Sequence, residues 1–190
     1  MTDLSRRPYR TATEAELLAW ARTGDQRAFA ALVAPHRRML TTVCLRITGD
    51  DGAAQDAVQS ALLAAWRNLD RFAGRARFST WLCQIGHNAS LAQIRRPRPE
   101  PVAEPPESPA RVRGIDDTVA SVQAVRWALA KLPPDFRAAL VLREFGDLTY
   151  EESAHAQQIP VQTVKSRLAR ARQGLAALLG DAAPSPAPRP

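Results

Sequence analysis

Six prolines, Pro97, Pro99, Pro101, Pro105, Pro106 and Pro109, fall within thirteen residues near the middle of this chain. Proline fixes φ, removes an amide donor and clashes with the preceding helical turn, so neither a helix nor an inner strand runs through such a stretch. The chain therefore divides into two modules, residues 13–96 and 118–179, around a connector at 97–117. A second cluster, Pro184, Pro186, Pro188 and Pro190, predicts a disordered tail over 180–190, and residues 1–12 read as a flexible N-terminus.

Twenty-six basic residues against nineteen acidic give a formal charge of +7, and the pI is near 10.6. That balance points to an acidic partner, nucleic acid first. The excess is unevenly placed. Residues 10–96 hold twelve basic and seven acidic side chains (+5), residues 118–179 eight and five (+3), and the connector three and five (−2). Two basic heads on an acidic tether suit a binder with two separate nucleic-acid footprints. For the connector alone, simple linker solubility explains the acidity as well.

The modules read as an all-α fold of two helical domains. Hydrophobic residues make up 45% of the chain and aromatics only 6%, which favours compact Ala- and Leu-rich helices. Thr13 and Glu16 form a capping box ahead of Leu17, Leu18 and Trp20. From Asp25, the positions Phe29, Leu32, Val33, His36, Leu40, Val43, Cys44 and Ile47 recur at helical spacing and predict one helix, which Gly49-Asp50-Asp51-Gly52 stops and restarts. The next helix puts Ala54, Val58, Ala61, Leu62 and Ala65 on one face. A fourth, from about Phe78 to Ile94, carries Phe78, Trp81, Leu82, Ile85, Ala89 and Ala92 on one side and Thr80, Gln84 and His87 on the other.

In the second module, Val119 to Leu132 is amphipathic and ends at Pro133-Pro134, and Phe136 to Phe145 follows. A second capping box, Thr149 with Glu152, opens a short helix ending near Gln158. After Ile159-Pro160 comes a basic helix with Val161, Val164, Leu168, Ala171, Leu175 and Leu178 in one stripe. Two short helices joined by a tight turn, the second basic, make a helix-turn-helix. Opposite the apolar stripe lie Gln162, Ser166, Ala169 and Arg170, with Thr163 and Lys165 at the edges. That face suits a major groove: Arg170 matches guanine, Gln162 matches adenine, and Lys165 and Arg172 reach phosphates. In the first module, the run Arg71 to Trp81 interleaves Arg with aromatics beside Gly74, a composition suited to unpaired DNA. Asn88, two helical turns beyond Trp81, adds a donor and an acceptor for a base edge.

Other functions find little support. His36, His87 and His155 are isolated from one another and from cysteines at metal-ligand spacing, so neither a metal nor another cofactor is expected. No Gly-rich phosphate loop or nucleophile motif points to an enzyme or a small-molecule substrate. Cys44 and Cys83, far apart in sequence, read as buried free thiols. Phe78 to Ile94, the longest uncharged stretch, is broken by seven polar residues, so no membrane insertion is expected. With no targeting segment in the first thirty residues, the expected location is the cytoplasm, at the nucleoid.

Two series of local motifs resemble one known family. Gly24-Asp25-Gln26-Arg27-Ala28-Phe29, Thr48-Gly49-Asp50, Asp56-Ala57-Val58-Gln59 through Ala65-Trp66, Arg71-Phe72 and Phe78-Ser79-Thr80-Trp81-Leu82 resemble region 2 of extracytoplasmic-function sigma factors of the sigma-70 family. Leu132-Pro133, Arg137, Leu148-Thr149-Tyr150-Glu151-Glu152 and Ile159 to Leu168 are similar to their region 4. The resemblance implies a promoter-specificity subunit of bacterial RNA polymerase with no reaction of its own. It implies that Asp56, Gln59 and Leu62 dock the β′ clamp helices and that region 4 meets the β flap. Phe72, Arg75, Arg77, Phe78, Ser79 and Asn88 would contact the melted minus-ten element, with Trp81 bracing the loop. Gln162, Thr163, Lys165, Ser166, Arg167 and Arg170 would engage the minus-thirty-five element. An anti-sigma factor is the further expected partner.

This chain also departs from the family. Ser60 stands where Glu is usual, Leu62 where Phe is usual, and Gln55 where an acid is frequent. Ser153, Ala156, Gln157 and Gln158 replace aliphatics and a closing Gly in the first helix of the helix-turn-helix, and Gln162 replaces a frequent Gly. The 21-residue connector reaches at most about 70 Å extended and about 25 Å as a coil, so it cannot itself fix the spacing of two duplex sites. The expectation is that polymerase sets that spacing and that the free chain binds promoter duplex poorly. Rival readings are an autonomous helix-turn-helix regulator, which needs a dimerisation element, and a decoy acting through polymerase or an inhibitor.

Overall fold

The computed structural model describes residues 8–96 and 117–180, all of whose regular structure is helical. The proline-rich connector, apart from its last residue, and the C-terminal tail beyond Gly180 lie outside the described residues. Part of the segment read as a flexible N-terminus is ordered. The Thr11 and Ala12 amides donate to Pro8 O, the Tyr9 hydroxyl donates to Asp25 at 3.0 Å, and the Tyr9 and Trp20 rings meet edge to face.

The first module holds α1 (Glu14–Arg22), α2 (Gln26–Val33), α3 (Arg37–Thr48), α4 (Asp51–Arg67) and α5 (Phe78–Arg95). Both halves of the Thr13/Glu16 capping box form, and Asp25 accepts from the amides of Arg27 and Ala28 to start α2. The single helix expected from Asp25 to Ile47 is two helices. Pro35 lies in a 3-10 turn, Ala34–His36, between them, because proline lacks the amide that would carry the α-helical ladder across. Gly49 ends α3 at φ 74°, where a side chain is disfavoured. Small residues on α4, Ala54, Ala57, Ala61 and Ala65, are buried and let it lie close against α3 and α5. Gly86 plays the same part on α5, since a Cβ there would stand 2.5 Å from Leu40 Cδ1.

The second module holds α6 (Asp117–Lys131), α7 (Pro134–Glu144), α8 (Tyr150–Gln157) and α9 (Val161–Gly180). Pro134 occupies the first turn of α7, where its missing amide has no helical partner to lose. The Thr149/Glu152 capping box opens α8, and Gln158 closes it in the left-handed region at φ 54°. The core of α8 and α9 is Ala154, Val164, Leu168 and Ala171, packed with Leu129, Leu132, Ala139 and Leu140.

A third core joins the modules. Val43 and Ile47 of α3 and Cys83 of α5 pack with Ala138, Val141 and Leu142 of α7, Leu148, and Ala156 of α8. Arg137 is buried at this seam and donates to Ile47 O (3.0 Å), Ala130 O (3.2 Å) and Leu132 O (3.1 Å). The side of α5 read as its polar face is therefore covered: Thr80 and His87 are buried, because the second module lies over them.

Candidate nucleic-acid interface

The loop before α5 is built from beneath. Arg22 of α1 reaches Leu69 O (3.5 Å) and Phe72 O, which fixes where the loop begins. Phe72, Phe78 and Trp81 form a ring cluster with centroid separations of 5.6 Å for Phe72–Phe78, 5.2 Å for Phe72–Trp81 and 5.7 Å for Phe78–Trp81. Phe72 and Phe78 are buried in the first core, so their rings support the loop instead of offering a face to a base. Trp81 is half-buried beside them. Gly74, at φ 69°, turns the chain so that Arg75 and Arg77 are exposed. Ser79 is half-buried and Asn88 exposed, with Asn88 Oδ1 3.2 Å from His87 Nδ1.

Arg77 meets the second module. Its Nη2 donates to Asp147 O at 2.9 Å, and the guanidinium lies 3.6 Å from the Asp147 carboxylate and 3.5 Å from that of Glu152. Thr80 Oγ1 donates to Glu152 Oε1 at 2.8 Å. Burial opposes ionisation of Glu152, but the Thr149 amide, the Thr80 hydroxyl and the Arg77 charge together hold its pKa below the usual carboxylate value.

Along α9, Gln162, Lys165, Ser166 and Arg170 are exposed on one side while Val164, Leu168 and Ala171 are buried on the other. Thr163 is half-buried at the edge. Arg167 faces inward, donating to Asp135 (2.7 Å) and Gln157 (3.3 Å), and thus ties α9 to α7 and α8. Arg172 pairs with Glu144 at 2.8 Å, and Lys165 Nζ sits 5.7 Å from the centre of the Tyr150 ring.

On α4, Asp56, Gln59 and Ser60 are exposed. Leu62 is half-buried against the first core, whereas Leu63, a helical turn from Gln59 and Ser60, is 54% exposed. An apolar side chain so open on a polar helix face is a candidate contact that the sequence reading missed. Among the described residues, no group of three or more His, Cys, Asp and Glu is placed to hold a metal. Burial raises the Cys44 thiol pKa to about 11 and that of Cys83 to about 12, so both are unreactive as placed.

Residues 32–99 match the Sigma-70 region 2 family, and residues 123–175 match Sigma-70, region 4. The RNA polymerase sigma-H factor of Pseudomonas aeruginosa is 35% identical over 177 residues, covering 84% of this chain and 90% of that protein. The ECF RNA polymerase sigma factor SigM of Mycobacterium tuberculosis is 38% identical over 168 residues, covering 88% and 85%. The chain belongs to the extracytoplasmic-function sigma factors. It is a transcription initiation factor that brings RNA polymerase to specific promoters. Solved sigma-factor complexes share the fold. CnrH bound to the cytosolic domain of CnrY aligns with a TM-score of 0.68 at 29% identity, over 90% of this chain and 99% of that one. RpoE bound to the anti-sigma factor NepR, from Bartonella quintana, aligns at 0.63 and 27%, over 78% and 94%. In this sigma factor the first module is region 2 and the second region 4. No helix among its described residues is long and apolar enough to cross a membrane.

Proposed function

We propose that region 2 docks on core polymerase through the open face of α4 and reads melted minus-ten DNA through the loop before α5, while α9 of region 4 reads duplex minus-thirty-five DNA. Asp56, Gln59 and Leu63 form the surface for the β′ clamp helices, and Leu62 supports it from inside. Arg75, Arg77, Ser79 and Asn88 face the displaced strand, with Trp81 holding the loop in shape over Phe72 and Phe78. Gln162, Thr163, Lys165, Ser166 and Arg170 face the duplex, Arg167 keeps α9 oriented, and region 4 meets the β flap. An α-helix fits the roughly 12 Å width of a major groove, whereas a short Arg-bearing loop backed by aromatics suits a single strand. That difference in shape between two exposed basic surfaces carries this reading. The chain performs no reaction of its own and works in the cytoplasm, where polymerase and DNA meet. An anti-sigma factor covers the α4 face when transcription is off, a role supported by the neighbour bound to NepR.

The test is co-purification of the full chain with core polymerase, alongside its affinity for promoter duplex. Wild type is expected to co-purify, Leu63→Ser and Asp56→Ala to weaken that association about tenfold or more each, and the isolated chain to show only salt-sensitive duplex binding. Failure to bind polymerase, combined with tight sequence-specific duplex binding by the free chain, would instead identify an autonomous regulator.

A further inference from the structure

We propose that Arg22 is a positioning residue for minus-ten recognition: from the end of α1 its guanidinium holds the carbonyls at the base of the loop before α5 and so aims Arg75 and Arg77 at the displaced strand. The proposal rests on the reading of that loop as the strand-reading element, and it gives a specificity role to a residue that acts through the loop and not on the DNA.

The geometry is that of a clamp between segments far apart in sequence. Leu17 and Ala21 seat α1 in the same core as Leu69 and Phe72, which brings Arg22, the last residue of α1, against the 3-10 turn Leu69–Arg71. Arg22 Nε reaches Leu69 O at 3.5 Å, and Nη2 donates to Phe72 O, fifty residues along the chain. Leu69 O also accepts from the Phe72 amide at 3.1 Å, whereas no other group among the described residues donates to Phe72 O. A helical turn ends in carbonyls that lack a helical donor, and a charged guanidinium is a strong replacement for one. Its planar fork suits two oxygens at once, which the point charge of a lysine does not.

One carbonyl matters because of where it sits. Phe72 has ψ 102°, at the edge of a β region that extends to about 180°, so its own backbone leaves the exit direction of the loop open. Holding the oxygen fixes that angle. A swing of about 30° there would displace Arg75, about 10 Å further along an extended chain, by up to roughly 5 Å, more than the length of a hydrogen bond. Phe78 is buried and fixes where the loop ends, so such an error falls on the residues between. Little else restrains them: among the described residues, Ala73 to Ala76 make no backbone hydrogen bond, and a Cβ at Gly74 would meet nothing within 4 Å. The Arg77 side chain is held by Asp147 and Glu152 of region 4. Within region 2, the aim of the loop is therefore set at its near end. Arg22 is itself exposed, so its replacement leaves the apolar core in place.

The test uses the full chain with core polymerase, on the promoter that the wild-type holoenzyme recovers from templates randomised at both elements. Arg22→Lys, which keeps the charge but not the fork, and Arg22→Gln are compared with wild type in run-off transcription. Templates are that promoter and versions with one minus-ten or one minus-thirty-five base changed. Both variants are expected to lose minus-ten selectivity about tenfold. The loss should lie in the maximal rate of open-complex formation and not in the holoenzyme concentration that gives half that rate. Minus-thirty-five selectivity and co-purification with polymerase should stay as in the wild type. A merely structural part would lower the yield from all templates alike, and that result would overturn the clamp. So would wild-type minus-ten selectivity in either variant; in Arg22→Lys it would show that charge alone suffices. The paired control is Arg75→Ala with Arg77→Ala. If minus-ten selectivity survives that change, the loop does not read the strand, and the positioning role falls with that reading.

Discussion

Region 2 and region 4 solve the same problem with unequal means. Region 2 closes around large apolar side chains, with Phe78, Leu40 and Leu82 fully buried and a three-ring cluster under its loop. Region 4 buries Ser153, Ala154 and Ala156 on its eight-residue α8, leaves the Ser153 hydroxyl without a partner and ends that helix on a left-handed Gln158. It completes its packing by laying Ala138, Val141 and Leu142 on region 2. The comparison teaches that a DNA-reading module can be left underfilled when a neighbouring surface is available to cover it.

The largest effect that separates the two regions is expected from Phe78→Ala, about 3–5 kcal/mol of lost stability. It should unfold region 2 and release region 4 from its cover in the same transition, as calorimetry would register. Gly86→Ala follows at about 1–3 kcal/mol, because its methyl would meet Leu40 Cδ1 at 2.5 Å and overpack α3 against α5. On the region 4 side the sign reverses. Ser153→Ala, which removes a buried unpaired hydroxyl, and Gln158→Gly, which relieves a left-handed backbone, should each stabilise by about 1 kcal/mol in urea unfolding.

The smallest effect is pH-dependent. His87 is buried facing Asp135 and Arg167 of region 4, beside Asn88 and Arg95 of its own helix. Burial lowers its pKa from 6.5, so folding favours the neutral ring. An unfolded chain binds the proton first, and stability is therefore full above about pH 6.5 and declines as pH falls through the interval between the unfolded and folded values. His87→Gln should flatten urea midpoints across that interval; an unchanged slope would show that the ring contributes none of it.

Local chemistry was the legible part of the sequence. Both capping boxes and the α9 stripe with Gln162, Lys165, Ser166 and Arg170 on its far side depend on neighbours within a turn or two. Pro35 is equally local, yet its break was hidden because the apolar spacing runs through it without a gap. Two further features were out of reach because they are set by partners distant in the chain. Which leucine of Leu62-Leu63 points outward depends on where α4 packs, and an all-apolar run from Ala61 to Ala65 gives periodicity nothing to discriminate. Thr80, Gln84 and His87 looked like a solvent face because the helix was read without region 4 over it. The burial of Phe72 and Phe78 was left open by the sequence, because an aromatic beside arginines signals a loop surface and a core equally well.

Run-off transcription by core polymerase loaded with this chain tests the central claim most directly: two basic surfaces read two promoter elements, one melted and one paired. On a cognate promoter the account expects a single start site, lost when either element is scrambled. Arg77→Ala should lower the yield and leave minus-thirty-five selectivity intact, and Arg170→Ala should relax that selectivity. Equal synthesis from intact and scrambled templates would contradict it.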